Sequence, residues 1–551
     1  MAPSEEWVLN TPSPLGDDWV PICQYSDIDF SLDHFLLAMD NLIREPNINS
    51  TVIMRADILK ERRSDQDPKL TFDAESTELP DFPGSESSEP LHRNIDDTDL
   101  RQPPIALDLN TTHEVVRRII PRNPFKDYII NQTCLVARDD KQGLVVYVPH
   151  ISEASETPFY LPPVQAIGIF YGQLTTDATK TGLSIHYIPF GYEKGPEAVA
   201  ALRASDISSR PQRIALRLLN TAAKHSLGRK TGYAKRVNHD KVVPRVNFQN
   251  RYLALKQKYA DHLVNNWQEN TDPRKHVFED LAIAAFLIEF WAIAYENPKE
   301  QMQFRDLGCG NGLLVYILLQ EGYKGEGIDA RARKSWSSYP ESVQSQLKEQ
   351  VIIPQMLLKP HPAVQKVAPH ITDNGRMFLV PDFTLNTDTY CSAGSLLESP
   401  RVCTAEFPPD TFIIGNHSDE LTCWIPLLGY PFIVIPCCSH ALSGAKFRFP
   451  SKRAYFASGN GVSSGNSQYG ALVDHVEDLA TQMGWQVEKE MLRIPSTRNA
   501  AIIATKHTPA WSQLNDDAKE IRVHDVIHLE GGAEGWVQNS VALMKRAPRG
   551  H

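Results

Sequence analysis

Residues 303–337, QFRDLGCGNGLLVYILLQEGYKGEGIDARARKSWS, constrain the fold more than any other stretch. A short run ends in Asp306-Leu307-Gly308-Cys309-Gly310-Asn311-Gly312, and Leu313 to Leu319 continue as an apolar helix, so the order is strand, glycine turn, helix. Glycine suits positions 308, 310 and 312 because the backbone must turn sharply and admit a ligand with no Cβ atom in the way. The unit then repeats: Gly322 and Gly325 mark a turn, and Glu326-Gly327-Ile328 ends on Asp329. An acid roughly 20 residues beyond the glycine loop, at the end of a second strand, is where a βαβ unit holds a ribose by its hydroxyls. The glycines are spaced G-x-G-x-G behind Asp306, whereas a dinucleotide fingerprint reads G-x-G-x-x-G.

This D-x-G-x-G-x-G pattern with its second-strand acid resembles the first motif of class I S-adenosylmethionine-dependent methyltransferases. The resemblance implies that Asp306 faces the cationic methionine part of the cofactor, that Gly308, Gly310 and Gly312 pass beside it, and that Asp329 takes its ribose. It also implies an α/β fold, a doubly wound Rossmann-like sheet whose last strand runs antiparallel. Downstream, residues 331–350 read as a charged helix and 376–383 as a third strand, ending at Asp382, which resembles the adenine-contacting position of this class. Residues 411–428 read as a fourth strand and a helix, leaving Asn416, His417, Ser418, Asp419 and Glu420 at the carboxyl edge where ligands of such sheets sit. Asn416 joins the expected cofactor contacts. A fifth strand at 431–436, an amphipathic helix at 468–484 and two last strands at 486–492 and 499–506 complete a domain over 260–507. The apolar run 276–295 just before it carries Glu279, Asp280 and Glu289, so it reads as a buried core helix rather than a membrane span.

At 551 residues the chain is long enough for several domains. Residues 1–63 form an N-terminal segment with a helical pattern at 31–43, and 64–104, rich in Asp, Glu, Ser and Pro, read as an acidic disordered linker. Four alternating, aromatic-containing runs at 133–139, 143–150, 166–174 and 183–190 predict an antiparallel, β-rich module over 105–200, entered through a segment bearing Arg117, Arg118, Arg122 and Lys126. Residues 508–551 are expected as a tail. The eight cysteines contain no C-x-x-C pair, and the polar, acidic start MAPSEE does not read as a secretory leader, so a reduced cytosolic or nuclear setting is expected. Cys437-Cys438-Ser439-His440 reads as buried thiols at a strand end, and no metal is expected.

A net charge of −11 argues against a chain that clings to polyanions everywhere, yet a total hides local patches. Residues 201–259 swing basic, with Arg213, Arg217 and Lys224 at helical spacings and Arg229, Lys230, Lys235, Arg236, Lys241 and Arg245 as candidate RNA contacts. Tyr233, His239, Phe248 and Tyr252 stand among them as rings able to stack on bases. A solvated cationic helix pair is the plainer reading of the same residues.

Enzymes that methylate amino groups commonly carry [DNS]-P-P-[FYW] after the fourth strand; Asn416-His417-Ser418-Asp419 lacks both prolines and the aromatic, which favours an oxygen nucleophile. A ribose hydroxyl needs a positioned acceptor, and His417, Asp419, Glu420 and Lys446 are the candidate groups. Taken together, DLGCGNGLLVYIL, EGYKGEGIDARARKSW, IIGNHSDELTCWIPL and VIPCCSHALSGAKF resemble the tRNA (uracil-2'-O-)-methyltransferase family acting at position 44 of serine tRNA. The resemblance covers residues 115–140 and 230–507, and the K-D-K-E tetrad of several other ribose methyltransferases is not evident. What it implies is a cytoplasmic enzyme that uses S-adenosylmethionine to methylate a uridine ribose of serine tRNA, with no membrane and no obligate protein partner evident. The alternatives are an RNA-binding scaffold with an inactive methyltransferase fold, and an O-methyltransferase acting on a protein or small molecule.

Overall fold

The computed structural model describes residues 5–64, 89–174, 180–233, 239–382, 387–450 and 467–544, the side chain of residue 382 excepted. The chain divides into two units, one formed by Met1–Asp81 with Ser85–Lys235 and the other by Phe82–Gly84 with Arg236–His551.

In chain order the first unit contains β1 (Glu5–Trp7), β2 (Val20–Tyr25), α1 (Leu32–Arg44), β3 (Ile53–Arg63), β4 (His92–Arg93), β5 (Asn110–Pro121), β6 (Ile129–Arg138), β7 (Gly143–Pro149), β8 (Ala166–Gln173), β9 (Thr181–Ile188), α2 (Glu197–Arg203) and α3 (Arg210–Lys230). Its sheet runs β1-β2-β9-β8-β7-β6-β5-β3, each neighbour antiparallel, with β4 added parallel to β6. Side chains alternate across it, as the two-residue strand period requires. Val145, Ile169 and Ile185 pack under α1 and α3, while Leu144, Val146 and Phe170 close over Leu15 and Trp19 on the opposite face. Residues 1–63 are therefore not a separate segment, because β2, β3 and α1 belong to this sheet and its core.

Part of the expected acidic linker is ordered. Residues 65–88 lie outside the described residues, but 89–104 are pinned to the sheet: Asn131 Nδ2 donates to the carbonyls of Ile95 and Asp97 at 2.7 and 2.8 Å, and Trp19 Nε1 to that of Pro104 at 2.8 Å. Backbone carbonyls make these contacts, so a hydropathy pattern cannot reveal them. Arg117 and Arg118 are buried too. Arg117 Nη1 donates to the carbonyl of Leu42 at 3.3 Å near the end of α1, and Arg118 Nη2 to that of Ile95 at 3.1 Å.

The second unit contains α4 (Arg245–Asn265), α5 (Pro273–Ala294), α6 (Pro298–Gln301), β10 (Gln303–Leu307), α7 (Leu313–Gln320), β11 (Lys324–Asp329), α8 (Glu341–Gln344), β12 (Leu347–Glu349), β13 (Val351–Ile352), α9 (Pro362–Val367), β14 (Met377–Asp382), β15 (Thr387–Ser392) and α10 (Ala393–Leu397). It continues with β16 (Val402–Cys403), β17 (Thr411–Asn416), β18 (Phe432–Ile435), α11 (Gln468–Gln482), β19 (Glu488–Met491), β20 (Ala500–Ala504), α12 (Pro509–Ser512), α13 (Asp516–Leu529) and α14 (Trp536–Leu543). Seven strands form one sheet in the order β12-β11-β10-β17-β18-β20-β19. The first five are mutually parallel, and β20 runs antiparallel to β18 and β19. Phe304, Phe412 and Ile414 pack under α5 and α7, whereas Leu307, Ile413 and Val434 meet α11 and α13 on the other face. Asp272 caps α5, its side chain accepting from the Arg274 amide, as the Asp-Pro pair implies.

Three expectations fail here. Residues 331–350 are a 3₁₀ turn, the short α8 and β12 rather than one helix, and β12 fills the place beside β11 that 376–383 was expected to take. Residues 377–382 instead pair with β15 in a separate hairpin, removing Asp382 from the main sheet. The apolar run misled because only one of its faces is covered: Val380 is buried while Met377 and Leu379 are exposed. The supposed tail at 508–551 carries α12, α13 and α14 and completes the core. Trp536 is buried, its Nε1 donates to the Ile352 carbonyl at 3.1 Å, and its ring centroid lies 5.4 Å from that of Trp424. Among the described residues no helix is long and apolar enough to cross a membrane. Trp536→Ala should lower the unfolding free energy by about 3–5 kcal/mol, the range for deleting a buried aromatic, as read from urea titrations.

Candidate active site

The sheet reverses its order at β10, which has β11 on one side and β17 on the other. Connections diverge at such a point and leave a crevice at the carboxyl ends of the strands. The glycine turn fills one wall of it. Gly308 has φ of 79°, and a Cβ there would stand 3.3 Å from Ser418 Cβ, so only glycine lets the turn lie against the end of β17. Gly310, at φ of 55°, faces open space, with no atom within 4 Å of where its Cβ would be. Gly312 closes the turn, its amide donating to the Cys309 carbonyl at 2.9 Å. The Asp329 carboxylate binds the ends of β10 and β11 together, accepting from the Gly310 amide at 3.0 Å and the Arg331 amide at 3.1 Å. Trp336 Nε1 and the Tyr339 hydroxyl donate to the carbonyls of Gly310 and Asn311 at 3.0 and 3.1 Å, fixing the turn from outside.

Asp306 is buried at the end of β10, and its Oδ1 has no hydrogen-bond partner. Burial pushes its carboxyl well above the ordinary carboxylate range, and the charges of Asp280 and Asp329 push it further. Asp280, on α5, is pushed up to about 8 by burial and then by Glu279. Asn416 Nδ2 donates to Asp280 Oδ1 at 3.2 Å, leaving Asn416 Oδ1 buried and unpartnered. The next residue, His417, sits in the left-handed region at φ of 51°, a conformation uncommon outside glycine and concentrated at functional sites. Its Nε2 lies 3.1 Å from Glu279 Oε1. With Glu279 as the acceptor, Nε2 carries the hydrogen, and in the neutral ring the buried Nδ1, which has no partner, is the nitrogen left with a lone pair.

The remaining candidates separate. Asp419, also left-handed at φ of 43°, accepts from Cys437 Sγ at 2.8 Å. The ligand atoms of Asp419, Cys437 and Cys438 lie within 4.8 Å of one another, but the Arg498 guanidinium, 3.5 Å from Cys438 Sγ, already supplies positive charge there. Hydrogen bonding between the two thiols pulls Cys438 down and pushes Cys437 up. Glu420 lies 3.9 Å from His440 Nε2, and Lys446 is exposed, its backbone bridging His440.

The basic block is divided. Arg229 and Lys230 end α3 in the first unit, where Lys230 pairs with Asp29, while Lys241 and Arg245 belong to the second; Lys235 and Arg236 lie outside the described residues. Much of the charge on α4 is used internally. Arg251 pairs with Glu289 at 2.7 Å and Lys258 with Glu321 at 2.8 Å. Phe248, expected to face bases, is in the core with Tyr252 stacked on it at 6.1 Å, whereas Tyr233 is exposed. Sequence reasoning missed Glu279 and Asp280 as site residues. Their signal was present, two adjacent acids inside an otherwise apolar helix, but it counted only against a membrane span.

Comparison with known proteins gives two family matches. Residues 3–236 match a family described as "TRM44-like, N-terminal bet v1-like domain", and residues 242–354 match "Predicted AdoMet-dependent methyltransferase". The chain is 56% identical to a tRNA (uracil-O(2)-)-methyltransferase of Debaryomyces hansenii over 99% of this chain and 98% of that one. It is 51% identical to the protein of that name in Saccharomyces cerevisiae, over 99% and 96% of the two chains. Identity to its Schizosaccharomyces pombe counterpart is 34%, over 97% and 94%. No solved structure matches.

The Asp280 carboxyl, ordinarily at 3.8, sits at about 8 in the folded chain, which therefore holds a proton that the unfolded chain releases. Across that window stability falls as pH rises. Asp280→Asn has no charge to bury, so it should resist urea better than its parent at about pH 8, with the difference fading by about pH 4.

Proposed function

This chain belongs to the tRNA (uracil-O(2)-)-methyltransferase family, and we propose that it transfers the methyl group of S-adenosylmethionine to the ribose 2'-hydroxyl of a uridine in tRNA. We further propose that the uridine is nucleotide 44 of serine tRNA, that the work is done in the cytoplasm, and that the second unit is a class I methyltransferase domain.

The observation that carries the reading is the unpartnered, buried Asp306 beside Asp280 and Asp329, next to the open space over Gly310. Such a group of acids is costly to ionise alone and suits a cationic ligand, and S-adenosylmethionine carries both an ammonium and a sulfonium. Asp306 and Asp280 would meet the methionine part, with the free Asn416 Oδ1 as a further acceptor; the glycine turn would let the cofactor lie close, and Asp329 would take the ribose hydroxyls. Bound there, the cofactor supplies a methyl group already activated on sulfur.

What remains for the protein is to align the attacking oxygen and accept its proton. His417 Nδ1 suits the second task. Glu279 fixes the ring by its Nε2 hydrogen, so that the lone pair at Nδ1 is held at the carboxyl edge of β17. Asp419 is committed to Cys437, Glu420 stands near His440, and Lys446 is exposed, so none of these is as well prepared. A lone pair of the 2'-oxygen would take the methyl group while the electron pair of the broken methyl–sulfur bond stays on sulfur, and the hydroxyl proton would go to His417 Nδ1.

Tritiated methyl from the cofactor should enter bulk tRNA and not the proteins of a lysate. Serine tRNA carrying 2'-deoxyuridine at nucleotide 44 should accept none; undiminished transfer to it would overturn the assignment of position. His417→Ala should lower kcat about 10²–10⁴-fold, the usual contribution of a general base, with cofactor affinity unchanged by calorimetry. Glu279→Gln, which keeps a hydrogen-bond acceptor but loses the charge, should cost about tenfold in kcat. Because a cation requires Asp306 and Asp280 to ionise, cofactor affinity should rise as pH climbs toward about 8, with protons released to the buffer, and Asp306→Asn should reduce both affinity and release.

A further inference from the structure

On the first unit, a groove of about 430 Å³ runs between α3 and the Pro46–Ile48 turn, with Ile48 and Leu216 in its lining. Arg213, Arg217 and Lys224 line it as well, all three exposed. At about 100° per residue these three positions fall within about 40° of one another around α3, and the rise of 1.5 Å per residue sets them about 6 and about 10 Å apart along it. The groove is therefore lined by a row of cations on the scale of one to two nucleotides of backbone.

The row differs from the other basic side chains of this stretch. Lys230, Arg251 and Lys258 each have a carboxylate partner, whereas no ion pair to Arg213, Arg217 or Lys224 occurs among the described residues. Positive charge in excess is visible in the neighbouring ring as well: His225, also lining the groove, is depressed by burial first and then by Lys224 and Arg229. In a chain of net charge −11 this is a local concentration, suited to an extended polyanion.

We infer that the groove along α3 binds the sugar-phosphate backbone of the tRNA substrate, so that the first unit is an RNA-docking module in its own right. Among the described residues that line the groove His225 is the one aromatic ring and three are cations, so the contacts it offers are chiefly to phosphates. The inference rests on the reading of the chain as a tRNA methyltransferase.

Its test uses the full chain with Arg213→Glu, Arg217→Glu and Lys224→Glu combined, a second triple with glutamine at the same positions, and a control triple Lys126→Glu, Lys141→Glu and Lys194→Glu, exposed residues of the same unit outside the groove. Binding of bulk tRNA is measured by filter retention from about 50 to about 200 mM salt. The expected result is a dissociation constant raised at least tenfold for both groove triples, and a plot of log affinity against log salt shallower by about 2–3, since each lost phosphate contact removes about 0.7–0.9. KM for tRNA should rise, while kcat at saturating tRNA and the affinity for S-adenosylmethionine stay at parental values. Unchanged tRNA affinity and salt slope in the groove triples, or an equal loss in the control triple, would overturn the inference and leave the methyltransferase reading intact. Failure of the parent enzyme to transfer methyl to any tRNA would instead remove that reading, and this inference with it.

Discussion

Burial at the carboxyl edge of the sheet, and then the charges of Asp280 and Asp329, oppose the ionisation of Asp306. Burying even one carboxylate without a counter-charge is unfavourable, and the fold meets that cost differently for each. Asp329 is stabilised by two backbone amides and by Arg333 at 3.7 Å. Asp280 takes one amide hydrogen bond from Asn416. Asp306 Oδ1 has nothing. The tightness of the glycine turn and the placement of α5 bring these groups together, leaving a buried carboxylate oxygen of Asp306 without a partner at a place suited to a cation.

How far this was legible depended on whether the signal was local. The glycine turn and Asp329 are short-range features, and the strand, turn, helix and second strand implied by the spacing of Gly308, Gly310 and Gly312 behind Asp306 are the ones the chain forms. The parallel strand at Thr411–Asn416 was legible because burial on both faces leaves the apolar run Phe412-Ile413-Ile414, whereas Gln303–Leu307, with Arg305 and Asp306 in its middle, was legible from the glycine turn that follows it. The hairpin at Met377–Asp382 failed for the complementary reason, an apolar run that covers one face only. Glu279 and Asp280 could not be assigned from α5 itself, because their meaning lies in Asn416 and His417, more than a hundred residues downstream.

Basic residues were the least readable class. Charge counting treats Arg213 and Arg251 alike, yet Arg251 is paired with Glu289 on the neighbouring helix and Arg213 lines an open groove. Arg117 and Arg118 lie inside a sheet, satisfied by Gln132, Asn131 and backbone carbonyls. A guanidinium's five donors make such interior use possible, so a run of positive residues specifies a nucleic-acid surface only after these internal partners are subtracted.

The helices α12, α13 and α14, which follow the last strand of the second sheet, have a consequence for biosynthesis. The first unit consists almost entirely of residues before 236 and can collapse while the rest is still being translated. The second unit has no such opportunity, since Trp536 fills its core against Trp424 and the strand at Val351–Ile352. This half therefore cannot close its core until Trp536 has emerged from the ribosome, and a message truncated before that codon yields an intact first half attached to an unfinished second.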